Sequence, residues 1–118
     1  MKILLDHCVP QPFKYALAEH EVSTAKEMNW EALKNGNLLQ QASANGFELF
    51  ITVDRNLQHQ QNLSGLSVAV CTMISTGITI EELRPLVGIL DKLLPMIQAG
   101  KYYQIAWSGD GLDAFGEA

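Results

Sequence analysis

The run Phe47-Glu48-Leu49-Phe50-Ile51-Thr52-Val53, closed by Asp54, is the plainest β-strand in the sequence. It is nearly all apolar or β-branched rather than alternating, the pattern of a strand covered on both faces. Such strands belong to parallel sheets, and parallel strands need helical crossovers between them. The rest of the chain supplies that alternation. Upstream, Lys2–Leu5 is a short apolar run ended by Asp6, and Pro10 and Pro12 suit the opening turn of a helix through about Ala18. Glu21–Thr24 is a weaker strand. Trp30–Gly36 carries mixed signals, with Lys34-Asn35-Gly36 as a turn. Leu38, Leu39 and Ala42 then repeat at helical spacing up to a stop at Asn45-Gly46.

Downstream, Arg55–Leu63 is polar enough for a short exposed helix or a loop, and Ser67–Met73 returns to a buried strand. Thr79-Ile80-Glu81-Glu82 has the spacing of a capping box. The helix it opens keeps Ile80, Leu83, Leu86, Val87, Leu90, Leu93 and Leu94 on one face, with Pro85 placed to split it in two. Lys101–Trp107 reads as the last strand and Ser108–Ala118 as a frayed tail rich in Gly and acid. The expectation is a three-layer α/β/α sandwich around a mainly parallel sheet, with residues 1–106 as one domain and 107–118 as a flexible acidic tail.

Composition narrows the function. Thirteen Asp and Glu against eight Lys and Arg give a net charge of −5, which argues against wholesale electrostatic binding to nucleic acid. Placement weakens that argument. Asp110, Asp113 and Glu117 lie after Trp107 and every basic residue precedes it, so residues 1–106 hold ten acidic and eight basic groups, a net of −2. Cys8 and Cys71 are far apart and outside any zinc spacing, which favours a reducing compartment. Neither a secretion signal nor a run of roughly 20 apolar residues is visible, so a cytoplasmic protein that does not enter the membrane is expected.

In open parallel sheets, ligands bind outside the carboxyl ends of the strands. Asp6 and Asp54 both fall there. Two carboxylates brought together at such an edge repel unless a proton or cation intervenes, which points to a hard divalent metal; each also has an alternative as a helix N-cap. His7, beside Asp6, reads as a surface or supporting group, and Arg55 as either a phosphate contact or a solvated side chain. Trp30 reads as core.

Leu4-Leu5-Asp6-x-Cys8-Val9-Pro10, then Trp30-x-x-Leu33-Lys34-Asn35-Gly36-x-Leu38-Leu39, then Ile51-Thr52-Val53-Asp54-Arg55-Asn56-Leu57 with Gln60-Gln61-Asn62-Leu63, stand in an order and spacing that resemble the small bacterial PIN-like family. That family is similar in outline to the PIN ribonuclease toxins of toxin–antitoxin systems, and the resemblance covers residues 1 to about 106. It implies a PIN-like fold whose sheet-edge carboxylates hold Mg²⁺ or Mn²⁺ for hydrolysis of RNA phosphodiesters. Residue by residue, it implies Asp6 and Asp54 as metal ligands and catalytic residues, with Arg55 and Asn56 completing the second motif. Two positions depart: His7 stands where relatives carry Glu, and Asn37 where they carry a carboxylate. On this pattern Asn37 keeps one neutral oxygen for the catalytic site, while His7, Arg55 and Asn56 are candidates to bind substrate. The alternative is a PIN-like binding module without turnover, for RNA or an antitoxin-type protein partner; a homodimer is a further expectation. A phosphoacceptor receiver, with Thr72 and Lys101 as switch residues, is a third reading.

Overall fold

The computed structural model describes residues 1–55, 63–107 and 113–117. Its sheet has six strands in the order β2-β1-β3-β4-β5-β6: β1 Lys2–Leu5, β2 Glu21–Thr24, β3 Leu49–Thr52, β4 Ala69–Ile74, β5 Tyr102–Trp107 and β6 Asp113–Glu117. The first five are mutually parallel and β6 is antiparallel to β5. The expected α/β fold with a mainly parallel sheet is therefore present. The frayed-tail reading needs correction at Asp113–Glu117, which pairs with β5 from Trp107↔Asp113 to Tyr103↔Glu117. An edge strand presents a row of unpaired N–H and C=O groups, and these accept a further strand whatever its composition.

Alternate residues of each strand feed two separate cores. On one face Ile3, Leu5, Leu49, Ile51, Cys71, Met73 and Ile105 meet Phe13 of α1 (Phe13–Ala16) and Leu83 of α3 (Ile80–Leu83). Leu86, Ile89, Leu90 and Leu93 of α4 (Leu86–Leu93) complete that layer. On the other face Leu4, Phe50 and Val70 meet Leu38, Leu39 and Ala42 of α2 (Asn35–Ala44), together with Phe47. Half-buried Trp30 joins this second core, edge-on to Phe47 at 6.0 Å between ring centroids. Each fully buried Leu, Ile or Phe contributes about 1.5–3 kcal/mol of transfer free energy, so burial on both faces fixes strand register firmly.

The punctuation follows local chemistry. The Thr79–Glu82 capping box forms, and Pro85 divides α3 from α4 by occupying the N-cap of the second. α2 ends where Gly46 takes φ +82°, with Phe47 N–H on the Ala42 carbonyl and Gly46 N–H on that of Ser43, a Schellman closure. At its other end α2 starts at Asn35, inside the expected turn, because a first helical turn asks nothing of its own N–H groups. Among the described residues no helix is long and apolar enough to cross a membrane.

Candidate functional site

The chain leaves β1 for β2 on one side and returns to β3 on the other, so the carboxyl ends of β1 and β3 flank the topological switch point, where doubly wound sheets bind ligands. Asp6 follows β1 directly and Asp54 lies two residues beyond β3. The Leu5↔Ile51 register and the Asp6 N–H bond to the Ile51 carbonyl, 2.9 Å, set Asp6 level with Thr52. Period-two alternation then puts both side chains on the α2 face, past Leu4 and Phe50. Thr72 and Gln104 continue the same row across β4 and β5. The apolar face thus ends, at the ligand edge, in a polar row.

Asp6 is 2% exposed, and its carboxylate is fully engaged. Oδ1 accepts the His7 backbone N–H at 2.8 Å and contacts His7 Nδ1 at 2.7 Å. Oδ2 accepts the Thr52 hydroxyl at 2.7 Å and the Cys8 thiol at 3.3 Å. Thr52, fully buried, also accepts the Asp54 N–H at 3.0 Å through the same Oγ1. One hydroxyl therefore ties the two acidic segments together. The N-cap alternative does not hold for Asp6, since the next helix begins seven residues later at Phe13. Burial is the largest influence on Cys8 and raises its thiol pKa, with the Asp6 charge acting the same way, so Cys8 stays a proton donor to that carboxylate. Beside Thr52, the buried Thr72 Oγ1 has no partner among the described residues.

Arg55 is exposed and donates from Nη2 to the Ser75 carbonyl at 2.9 Å, which pins the segment after β3 to the loop after β4. Asn37 sits exposed in the first turn of α2 and forms no hydrogen bond with Asp6. Asn56 lies outside the described residues, as does His59. The structure thus brings together Asp6, His7, Cys8, Thr52 and the Asp54 backbone, and gives Asn37 no hydrogen bond to any of them. Thr52 and Cys8 escape sequence reasoning as site members. A signal for Thr52 exists: in parallel neighbours of known register, a strand-end Thr level with a strand-end Asp shares its face.

Two carboxylates match what Mg²⁺ ordinarily takes from protein, the remainder being water and substrate phosphate. No group of three or more His, Cys, Asp or Glu among the described residues is placed to hold a metal. Asp6 moreover already serves four donors, so a cation approaching it displaces one. The His7 ring is the one able to leave, being 54% exposed, whereas Thr52 is locked in the core. Asp6 can therefore face a cation once the imidazole turns aside, and Asp54, tied to Thr52 through its backbone N–H, is the second acid of this sheet edge.

The sheet order is shared with receiver domains, but the switch residues of that reading are misplaced. Lys101 immediately precedes β5, at the opposite edge from Asp6, and Thr72 lies within β4 opposite Thr52. A cavity of about 260 Å³ opens beside Asp6, lined among others by His7, Gln11, Thr24, Lys26, Glu31 and Ile78. No model of a known protein family, no curated protein and no solved structure matches the chain.

Proposed function

We propose that this chain is a PIN-like domain that hydrolyses RNA phosphodiesters with Mg²⁺ or Mn²⁺ at Asp6 and Asp54. The observation that supports the reading is that the Asp6 carboxylate and the Asp54 backbone N–H share Thr52 Oγ1 beside the switch point. The motifs around them add the resemblance. A divalent ion supplies an activated water and neutralises charge on the scissile phosphate. The residues themselves orient and hold. Thr52 fixes the rotamer of Asp6 and the backbone of Asp54, so the Asp6 carboxylate is already ordered when substrate arrives. Arg55 spends one N–H on Ser75 and keeps others for a phosphate oxygen. His7 covers Asp6 until a cation competes for it.

A second reading, a binding module without turnover for RNA or an antitoxin-type protein, is favoured by one specific observation. Every lone-pair direction of Asp6 is satisfied by protein donors. Cleavage of mixed-sequence RNA with Mn²⁺, by the natural protein and by Asp54→Asn, separates the two. Cleavage abolished by the substitution supports the hydrolase; binding without cleavage by the natural protein leaves the module.

A further inference from the structure

We infer that the cavity beside Asp6 is a subsite for one ribonucleotide of single-stranded RNA, in which Lys26 takes a phosphate and Glu31 takes the ribose 2′-hydroxyl. The inference rests on the RNA reading above and adds what distinguishes RNA from DNA. The cavity's volume, about 260 Å³, suits one sugar-phosphate unit rather than a duplex.

Lys26 is held at the right edge. Ala25 donates its N–H to the Leu5 carbonyl at 3.0 Å, which sets Ala25 level with Asp6 and makes Lys26 the next residue out from the sheet. The turn is built to keep that position. Thr24 N–H bonds Glu27 Oε1 at 2.9 Å, Glu27 N–H bonds Thr24 Oγ1 at 3.1 Å, and Trp30 N–H bonds the Ala25 carbonyl at 2.9 Å. The nearest acid in sequence is already used, because Glu27 Oε2 takes the Lys14 ammonium at 2.6 Å. Lys26 forms no ion pair among the described residues and lines the cavity, an uncommitted cation where a polyanion must pass. Gln11, which also lines the cavity, carries a neutral amide.

Glu31 lines the same cavity and likewise forms no ion pair among the described residues. A carboxylate next to a phosphate site repels the phosphate, so its place there is explained by a hydroxyl that donates to it. The 2′-hydroxyl is the donor RNA has and DNA lacks. Ile78, 55% exposed, supplies an apolar surface on the rim for the sugar or base.

The test is fluorescence anisotropy with an oligonucleotide of mixed sequence, as ribo and as 2′-deoxy strand, in EDTA so that no cleavage intervenes. The natural protein is expected to bind the ribo strand about tenfold tighter, the size of one charge-assisted hydrogen bond. Glu31→Ala is expected to bring that ratio close to one. Lys26→Ala is expected to weaken both strands about tenfold and to lower the salt slope by about 0.7, the release expected per single-strand phosphate contact, while Lys26→Arg retains binding. Both side chains are exposed, and equal melting temperatures verify folding. Equal affinity for the two strands, a ratio unchanged in Glu31→Ala, or no effect of Lys26→Ala overturns the inference. Cleavage with Mn²⁺, assayed separately, tests the hydrolase, which fails or stands independently of these binding ratios.

Discussion

Replacing Thr52 by Val removes one oxygen and leaves the shape of the side chain nearly unchanged, yet three groups lose their arrangement. Asp6 Oδ2 loses a 2.7 Å hydrogen bond, the Asp54 N–H loses its acceptor at 3.0 Å, and the Cys8 thiol loses a neighbour at 3.6 Å. A hydrogen bond to a charged group is worth about 1.5–3 kcal/mol, and an orphaned backbone N–H adds about 1 kcal/mol where water reaches it incompletely. The extra methyl returns about 0.8 kcal/mol through burial. The expected net loss is therefore about 2–3 kcal/mol. At about 4 °C per kcal/mol for a domain of this length, the melting temperature falls about 8–12 °C. Thermal unfolding followed by circular dichroism reads the shift, and urea unfolding with an unchanged slope shows that stability alone has moved. Thr52→Ser keeps the oxygen and is expected to lose only about 1 kcal/mol, for the missing methyl. In the hydrolase, Thr52→Val also slows cleavage more than Thr52→Ser, because the Asp54 segment is no longer anchored. A Thr52→Val protein within about 0.5 kcal/mol of the natural one, the range of inert surface changes, refutes the idea that this hydroxyl ties the acidic edge together.

Three further expectations follow from the same geometry. Removing the imidazole with His7→Ala frees a lone-pair direction on Asp6 and raises Mn²⁺ affinity about tenfold by calorimetry, the size of the competing charge-assisted hydrogen bond; unchanged or lower affinity counts against His7 as the displaced group. Burial pushes the Cys71 thiol up to about 12 and also raises that of Cys8, so near pH 8 a disulfide reagent titrates at most Cys8, and slowly, until denaturant exposes Cys71; two fast thiols contradict this. The Lys14 hydrogen bond holds Glu27 below its ordinary value of 4.5, so this pair's stabilisation is present above that value and is lost as pH falls below it. The melting difference between the natural protein and Glu27→Gln should accordingly shrink between about pH 6 and about pH 3 and also in high salt, since Glu27 is exposed and Lys14 only half-buried. A difference that grows on acidification reverses the sign of the argument.

What the sequence discloses is what depends on neighbours along the chain. The apolar density of Phe47–Val53 gives a doubly covered strand, Thr79–Glu82 gives a cap, and Asn45-Gly46 gives a stop, because each signal is complete within a few residues. Asp6 and Asp54 are legible as strand-end acids for the same reason. The sharing of one hydroxyl by Asp6 and Asp54 is not, since it requires the β1–β3 register and the face each residue takes. Lys26 is hidden similarly: its placement depends on Ala25 meeting Leu5 across the sheet, and its lack of an ion pair among the described residues on Glu27 already holding Lys14. β6 is the opposite case, a segment whose Gly-rich, acidic composition suggests fraying and whose backbone nonetheless completes an edge.

The proposed cation site is tested most directly by Mn²⁺ titration of the natural protein and of Asp54→Asn, by calorimetry with circular dichroism to verify the fold. One ion is expected to bind the natural protein and none the variant. An absence of binding at millimolar Mn²⁺, or equal binding by both proteins, contradicts a cation held between Asp6 and Asp54.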